Sequence, residues 1–303
     1  MFCIQSAINI ERGGTNFEII AVDINGNKSI KSFRIERPKN ITLKTRLYKK
    51  LKPKKLNKLN YSKAAIIIGI EDYKYTKFKA DYANMDAMKF YDFAHYSLGV
   101  PTENIKELIN EKGSFREILT TLRNWAVNYI EPNKTELYIF FAGHGLGSPD
   151  GKDIFLLPFD GDPDLLYETA IKRDFIFEQI NSLYPKNVFV FLDTCYSGQT
   201  RSKETLISSR PIRIVVDKKT IPENFTVFSA AANDQTSGPL VEAEHGIFSY
   251  WLMKGMEGDA DLNNDSKITS KEMNNFLIKN VSRISNGKQI PQLYGNLNTV
   301  LVE

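Results

Sequence analysis

The sequence predicts an α/β fold built on a mostly parallel sheet of about six strands, with helices on both faces of the sheet. Short apolar runs, AAIIIGI at 64–70 and FTVFSAAAN at 225–233, alternate with longer segments whose apolar residues recur at helical spacing. Two further runs, LYIFFAGHG at 137–145 and VFVFLDTCYSG at 188–198, each end in a turn of small residues. This alternation is typical of a parallel sheet, because each parallel strand needs a crossover connection.

The segments between these strands keep to the same alternation. An amphipathic helix is predicted at 81–97, with apolar positions at Tyr82, Met85, Met88, Phe93 and Tyr96. The remaining predicted elements are a short strand around 104–109, helices at 114–130, 172–183, 247–256 and 270–284, a hairpin at 153–158 and extended segments in the tail.

The first 60 residues differ in pattern from the rest of the chain. Two alternating apolar runs at 16–36 flank the pair Asn25-Gly26, which predicts a β-hairpin. The hairpin resembles the closing strands of a bacterial immunoglobulin-like domain and is too short to be a whole sandwich. Either it packs onto the next domain or the chain continues a longer protein, so a larger N-terminal region or a regulatory partner is expected. The sequence thus predicts an extension at 1–38, a linker at 39–60 and one large domain at 61–303.

The net charge of +4 comes from one segment. Residues 39–60 hold nine Lys or Arg and no acid, which leaves 31 basic against 36 acidic residues elsewhere. Such a segment is more typical of a solvated linker than of a nucleic-acid site, so no nucleic-acid partner is expected. No apolar run is long enough for a membrane span and no signal peptide is visible. The two cysteines, Cys3 and Cys195, form no disulfide framework, and a cytoplasmic location is expected, with secretion as the alternative if a longer precursor exists.

His144 and Cys195 are the reactive groups at the ends of the two small-residue turns, 51 residues apart. Open α/β sheets place their chemistry at the carboxyl ends of their parallel strands, so neighbouring strands would bring the two side chains together. A thiolate beside an imidazole is a strong nucleophile at neutral pH. The pair therefore predicts a cysteine hydrolase.

The motifs FFAGHG and LDTCYSG resemble those of caspase-like cysteine peptidases, and most closely the metacaspase and bacterial orthocaspase branch. The resemblance runs from Ala64 to the C-terminus, with Tyr196 where metacaspases usually carry His. It implies a caspase-like three-layer sandwich and endopeptidase activity through a Cys195–His144 dyad. It also implies an oxyanion hole formed by the backbone amides of Gly145 and Cys195, and no cofactor for the chemistry itself.

The resemblance further implies a pocket for the residue before the cleaved bond (P1). Asp193 lies two residues before Cys195, and Asp234 lies in SAAANDQTSG, which resembles a metacaspase pattern with Ala231 in place of a Cys. Two carboxylates favour an Arg or Lys side chain, so the expected substrate is a protein or peptide with a basic P1 residue. A basic side chain such as Arg173 filling the pocket would contradict this expectation.

Two alternatives and one form of regulation stay open at this point. The chain could be a relative with another P1 preference, as in separase-like or legumain-like peptidases, or a catalytically inactive interaction module. The loop at 199–222 carries six basic residues and is a candidate for self-cleavage that matures a zymogen.

The stretch from Asp261 to Glu272 resembles an EF-hand calcium loop. Its candidate ligands are Asp261, Asn263, Asp265, Lys267 and Glu272. Ser266 occupies the position where Gly normally allows a sharp turn, and only one such loop is present. Calcium is therefore expected as a modulator rather than as a catalytic group.

Overall fold

The computed structural model describes residues 15–23, 25–35, 48–56, 58–195, 221–231, 235 and 237–303. Two compact units make up the chain, one from Met1 to Tyr48 and the other from Lys49 to Glu303. No helix in the described part of the chain is both long and apolar enough to cross a membrane.

Fifteen strands and seven α-helices lie within the described ranges. The strands are β1 Thr15–Val22, β2 Lys28–Ile35, β3 Lys63–Gly69, β4 Ile105–Ile109, β5 Glu136–Ala142, β6 Gly145–Gly147, β7 Ile154–Leu156, β8 Ile171–Lys172, β9 Asn187–Asp193, β10 Phe225–Ser229, β11 Pro239–Leu240, β12 His245–Gly246, β13 Ile268–Thr269, β14 Gln292–Gly295 and β15 Val300–Val302. The helices are α1 Ala83–Tyr96, α2 Phe115–Thr120, α3 Ala126–Tyr129, α4 Leu166–Thr169, α5 Arg173–Asn181, α6 Ile247–Lys254 and α7 Ser270–Ile284. A π-helical turn at Thr121–Trp125 joins α2 to α3, and another at Gly255–Asp259 extends α6.

The N-terminal unit contains the predicted hairpin. Strands β1 and β2 pair antiparallel, and the last pair is Val22 with Lys28. The connection is therefore the five residues 23–27 rather than a two-residue Asn-Gly turn. The Asp23 carboxylate accepts hydrogen bonds from the backbone amides of Asn25 and Asn27, and Gly26 takes a φ of +82°. Its likeness to the end of an immunoglobulin-like domain stays a prediction.

The second unit is built around a six-stranded sheet with the order β14-β10-β9-β5-β3-β4. The pairs β10-β9, β9-β5, β5-β3 and β3-β4 are parallel, and only β14 pairs antiparallel, at one edge. The predicted mostly parallel six-stranded sheet is therefore confirmed. Strands β5 and β9 at its centre are buried along nearly their whole length, which agrees with the near-continuous apolar runs in their sequences.

Helices cover both faces of this sheet, as predicted. On one face, Phe90 of α1 packs against Phe140 of β5 and Phe191 of β9, with ring centroids 4.5 and 5.5 Å apart. On the opposite face, Phe177 of α5 packs against Phe225 of β10 at 5.2 Å. Aromatic rings bury large apolar areas, so these contacts hold the helices on the sheet.

The buried face of α1 differs from the one that the sequence predicted. Met85, Met88 and Tyr96 are exposed, and the buried residues are Ala83, Asp86, Ala87, Phe90, Phe93 and Ala94. The helix lies close to β3, because a Cβ atom at Gly69 would stand only 2.4 Å from the Cβ atom of Ala87. Small residues, rather than the longer Met side chains, therefore face the sheet where the backbones approach each other.

Part of the segment predicted as a linker packs onto the large domain. The Lys49 carbonyl accepts a hydrogen bond from the Tyr250 hydroxyl, the Leu56 amide donates to the Tyr96 carbonyl, and Leu51 is buried. The compact unit accordingly begins at Lys49, twelve residues before the predicted boundary at 61. Only the part of the basic segment before Lys49 lies outside this unit.

Candidate active site

The register of two central strands brings the two predicted catalytic residues to the same edge of the sheet. Ala142, at the end of β5, lies opposite Asp193, at the end of β9. His144 and Cys195 each follow two residues later, and the Gly143 amide donates a hydrogen bond to the Asp193 carbonyl at 3.3 Å. The histidine and the thiol therefore leave adjacent strands at matching positions on the carboxyl edge.

A loop after β3 holds His144 from its backbone and from the face of its ring. The His144 amide donates to the hydroxyl of Tyr73 at 2.6 Å, and the two rings stack with centroids 4.7 Å apart. Gly143 makes this approach possible, because a Cβ atom there would stand 2.7 Å from the Tyr73 hydroxyl. Tyr73 thus fixes both the position and the plane of the imidazole.

The same loop determines which nitrogen of His144 carries the proton in the neutral ring. Nε2 lies 3.0 Å from the Phe78 carbonyl oxygen. A carbonyl oxygen only accepts hydrogen bonds, so Nε2 must be the protonated nitrogen. Nδ1 then carries the lone pair and is the nitrogen that can take a proton from a thiol.

Cys195 is buried, and one residue contacts its sulfur through both backbone groups. The Ser237 amide donates to Sγ at 2.9 Å, and the thiol donates to the Ser237 carbonyl at 3.4 Å. Only 4% of Cys195 is exposed to solvent. An amide donor stabilises the thiolate form, because a hydrogen bond to a charged group favours that charge.

Asp193 is fully buried and its carboxylate is held by two serines. One oxygen accepts from the Ser237 hydroxyl at 2.8 Å, and the other accepts from the Ser249 hydroxyl at 2.6 Å and the Ser249 amide at 3.3 Å. An ionised carboxylate at zero exposure requires such donors. Ser237 therefore contacts both the predicted nucleophile and the predicted P1-binding acid.

Several predicted features fall outside this arrangement. Asp234, Tyr196 and most of the basic loop at 199–222 lie outside the described residues. Arg173 lies at the start of α5, where its guanidinium bonds to Asp174 at 2.7 Å and lies over the Phe177 ring. Whether Arg173 reaches the predicted pocket stays open, because Asp234 lies outside the described residues. Gly145 is buried at the first position of β6, opposite Leu156, and its role in an oxyanion hole stays a prediction.

The sequence from residue 62 to residue 302 matches the family model of the caspase domain. The chain belongs to the caspase family. Because the match spans the His144 and Cys195 strands and nearly the whole second compact unit, family membership supports a cysteine peptidase. A search of curated protein sequences found no match.

Solved structures agree with this assignment at the level of the caspase fold. A protein of Geobacter sulfurreducens is 16% identical with a TM-score of 0.56, and the alignment covers 78% of this chain and 97% of that one. Caspase-1 of Spodoptera frugiperda is 15% identical with a TM-score of 0.53, over 84% of this chain and 95% of that one. The predicted caspase-like sandwich is therefore confirmed.

Acidic residues surround the loop that holds the caspase-family histidine. Burial, followed by the nearby Asp72 carboxylate, raises the pKa of Glu71, while Lys79 lowers it. Lys79 also forms an ion pair with Asp72 at 2.6 Å. The backbone amide of Glu71 donates to the Asn110 side chain at 2.9 Å, which fixes the start of the loop. The loop that carries Tyr73 and Phe78 is thus held at its base by this hydrogen bond and by the Lys79–Asp72 ion pair.

The predicted calcium loop folds as an irregular turn before α7. Asp261 accepts hydrogen bonds from the amides of Asp265 and Ser266, and Asn263 also bonds to Asp265. The Glu272 carboxylate accepts from the Thr269 amide and hydroxyl, which makes it half of a capping box at the start of α7. Among the described residues, no group of three or more His, Cys, Asp or Glu side chains is arranged to hold a metal ion. Calcium binding by this loop stays a prediction.

A buried contact between Asp86 and His245 was not predicted from the sequence. Asp86 of α1 is completely buried, and one of its oxygens lies 2.8 Å from Nδ1 of His245. The Gly246 amide donates to the same carboxylate at 3.0 Å. These contacts connect α1 to the short strand that precedes α6. His245 therefore has a structural contact in this part of the fold.

Sequence reasoning missed the residues that position the dyad. Tyr73 and Phe78 act through a hydroxyl and a main-chain carbonyl in a loop without a reactive motif. Ser237 stands three residues after the predicted Asp234, in the same SAAANDQTSG segment, and this proximity was the one available signal. Ser249 lies inside an apolar helix, where a single serine carries no functional signal.

Proposed function

We propose that this chain is a cysteine endopeptidase that cleaves peptide bonds after Arg or Lys, with Cys195 as nucleophile and His144 as general base. The observation that carries the proposal is the matched register of the two residues on adjacent strands of a caspase-family domain. The hydrogen bond between Nε2 and the Phe78 carbonyl also supports the proposal, because it leaves Nδ1 as the basic nitrogen.

The first step forms the acyl-enzyme. Nδ1 of His144 takes the proton from Cys195 Sγ, and the thiolate attacks the scissile carbonyl carbon to form a C–S bond. Negative charge develops on the carbonyl oxygen, and the amides of Gly145 and Cys195 are proposed to receive it. The C–N bond then breaks, and the imidazolium returns its proton to the leaving amine.

The second step releases the product and restores the enzyme. A water molecule loses a proton to Nδ1 and attacks the thioester carbonyl. The C–S bond breaks, the sulfur recovers the proton, and a carboxylic acid leaves. No cofactor is required for either step, since the chain itself supplies the nucleophile, the base and the amide donors.

The preference for a basic P1 residue rests on Asp193. Its carboxylate is buried beside the nucleophile, where it accepts hydrogen bonds from two serine hydroxyls and one backbone amide. The guanidinium or ammonium group of a P1 side chain would bind this carboxylate through charge-assisted hydrogen bonds. Asp234 is proposed as the second acid of the pocket on sequence resemblance alone.

Self-cleavage in the basic loop at 199–222 and modulation by calcium complete the proposal. The loop directly follows the nucleophile and offers six basic P1 positions. Calcium modulation rests on the order of oxygen-bearing residues from Asp261 to Glu272, and the enzyme assay tests it directly. Neither feature is needed for the dyad chemistry.

Hydrolysis of fluorogenic peptides with Arg, Lys or Asp at P1 tests the proposal. The assay compares the wild type with Cys195→Ala and His144→Ala, with calcium or with a chelator, and Cys3→Ser serves as the control thiol substitution. We expect release of the reporter after Arg and Lys only, and its loss in both dyad variants. Cleavage after Asp would overturn the acidic pocket and keep the dyad.

The absence of cleavage is interpreted by thiol chemistry and by gel analysis. Alkylation of Cys195 that slows in His144→Ala, with the fold retained, indicates an intact dyad in an uncut zymogen. Alkylation that is slow in both proteins indicates the inactive interaction module. A single uncut band during active turnover would exclude obligatory self-cleavage.

A further inference from the structure

Ser237 links the nucleophile to the buried acid, and no other described residue bonds to both groups. Its amide donates to Cys195 Sγ at 2.9 Å, while its hydroxyl donates to one oxygen of Asp193 at 2.8 Å. Its carbonyl accepts the thiol proton at 3.4 Å. Ser237 itself has no solvent exposure. One buried residue therefore holds the sulfur with its backbone and the carboxylate with its side chain.

This arrangement is a resting state for the sulfur. The thiol proton is directed at the Ser237 carbonyl, and Cys195 is 4% exposed. A reacting carbonyl carbon must come to within about 3–3.5 Å of the nucleophile. The backbone of Ser237 occupies part of that shell around Sγ. Attack on a peptide bond thus requires Ser237 to move away from the sulfur.

The described neighbours of Ser237, Gln235 and Gly238, are held by hydrogen bonds, so a motion of Ser237 would be local. The Gly238 amide donates to the Gln289 side chain at 3.0 Å, and the Gly238 carbonyl accepts from the Ile247 amide at 2.9 Å. Gln235 accepts a hydrogen bond from the Ile290 amide at 2.7 Å. Gln235 and Gly238 are thus both held by hydrogen bonds, and Ser237 is held through its hydroxyl by Asp193.

We propose that Ser237 is a latch that couples the charge of the P1 side chain to the reactivity of Cys195, an inference that rests on the proposed basic P1 preference. A cation that bonds to Asp193 replaces the Ser237 hydroxyl as the donor to the carboxylate. Ser237 then loses its side-chain anchor and moves off the sulfur, and the thiol proton becomes available to Nδ1 of His144. A neutral P1 side chain leaves the hydroxyl in place and the sulfur covered.

Alkylation kinetics test the latch without any peptide substrate. The protein carries Cys3→Ser, so Cys195 is its one remaining thiol. The rate of reaction with iodoacetamide is measured with agmatine, which presents a guanidinium and no scissile bond, and with the neutral analogue N-butylurea. We expect agmatine to accelerate alkylation about fivefold or more, which corresponds to about 1 kcal/mol, and N-butylurea to have no effect.

Ser237→Ala removes the anchor but keeps the backbone. It should react rapidly without agmatine, and agmatine should accelerate it no further. Ser237→Thr, which keeps the hydroxyl, should restore the slow rate. Ser229→Ala is the matched control: Ser229 is also buried, and its hydroxyl bonds to the Ala231 carbonyl at 3.1 Å instead of to the latch. It should behave as the parent protein.

The latch and the proposed function fail in different ways. If agmatine gives no thermal shift and Arg peptides are not cleaved, the acidic pocket itself is wrong. A second outcome would contradict the latch alone. In that outcome, Arg peptides are cleaved and agmatine gives a thermal shift that Asp193→Asn abolishes, but agmatine does not change the alkylation rate. The latch would then be wrong, and the proposed peptidase activity would stand. This agmatine comparison uses the native serine, so it decides the question even if Ser237→Ala does not fold.

Discussion

The Phe78 carbonyl oxygen lies 3.0 Å from Nε2 of His144. Nε2 is therefore not the nitrogen that we propose as the base. The neutral histidine is therefore expected as the Nε2–H tautomer. Nitrogen-15 NMR of the imidazole should show a protonated Nε2 and an unprotonated Nδ1. The opposite tautomer, or a mixture of the two, would mean that the loop does not orient the base.

Tyr73 is expected to be required for turnover through its hydroxyl. Tyr73→Phe keeps the ring stacked on His144 but leaves the buried His144 amide without its acceptor. We expect the free energy of unfolding to fall by about 1–3 kcal/mol and kcat to fall at least about tenfold, because the base is less well positioned.

Tyr75 of the same loop is 54% exposed and provides the matched control for Tyr73. Tyr75→Phe should leave both the unfolding free energy and kcat near those of the wild type. Equal behaviour of the two variants would remove Tyr73 from the positioning of the dyad.

The buried carboxylate of Asp86 is expected to contribute strongly to stability. Asp86→Ala leaves His245 and the Gly246 amide without their partner in the interior, which should cost roughly 3 kcal/mol in chemical denaturation. Asp92→Ala on the same helix breaks the partly exposed Lys89–Asp92 pair and should cost less than about 1 kcal/mol. Similar losses in both variants would contradict this assignment.

Ser266 has a strained backbone conformation in the predicted calcium loop. Its φ of +66° lies in the left-handed region, which costs a non-glycine residue about 1–2 kcal/mol. Ser266→Gly should therefore raise the melting temperature by a few degrees, offset in part by the greater freedom of glycine in the unfolded chain. Asn264→Gly is the control, because asparagine already tolerates its φ of +60°. A lower melting temperature for Ser266→Gly would contradict the strain.

The pKa of Glu71 is expected to respond to Lys79. Burial and Asp72 raise this pKa above its ordinary value of 4.5, and Lys79 opposes the rise, so Lys79→Met should raise it further. An acid with a raised pKa in the folded state favours folding below its unfolded pKa, and this contribution is lost as pH rises through the folded pKa. Carbon-13 NMR titration of the glutamate carboxyl groups measures the shift. A lower Glu71 pKa in the Lys79→Met variant would show that a group other than Lys79 determines the charge of the loop.

The sequence allowed prediction of elements whose signal is local. Helix α7 spans the predicted 270–284, and β3, β5 and β9 follow the apolar runs, because a fully buried strand must be apolar along its length. The placement of His144 and Cys195 at one edge of the sheet could be predicted for the same reason, because each residue closely follows such a run. The buried face of α1 could not be predicted, because Met85 and Met88 fit an apolar pattern as well as alanines do. Close packing of the backbone at Gly69 decided between them.

Contacts distant in sequence account for the rest of what was missed. Ser237 meets Cys195 across 42 residues and Asp193 across 44, and Phe78 meets His144 across 66. These partners act through amides, carbonyls and a hydroxyl that many residue types supply, so composition and spacing do not distinguish them. The burial of Asp86 could not be predicted either, since a carboxylate in the first turn of a helix is usually exposed.

The parallel pairing of β5 with β9 separates the geometry of the dyad from the chain that connects its two members. Main-chain bonds from Glu136 opposite Asn187 to Ala142 opposite Asp193 set the spacing between histidine and cysteine. The roughly 40 residues between the two strands form the crossover connection, but they do not set the distance between the histidine and the cysteine. A polypeptide lengthened at the exposed turn around Asp150 should therefore keep its dyad in alignment, which makes that turn a natural site for inserting a sensor domain or a reporter.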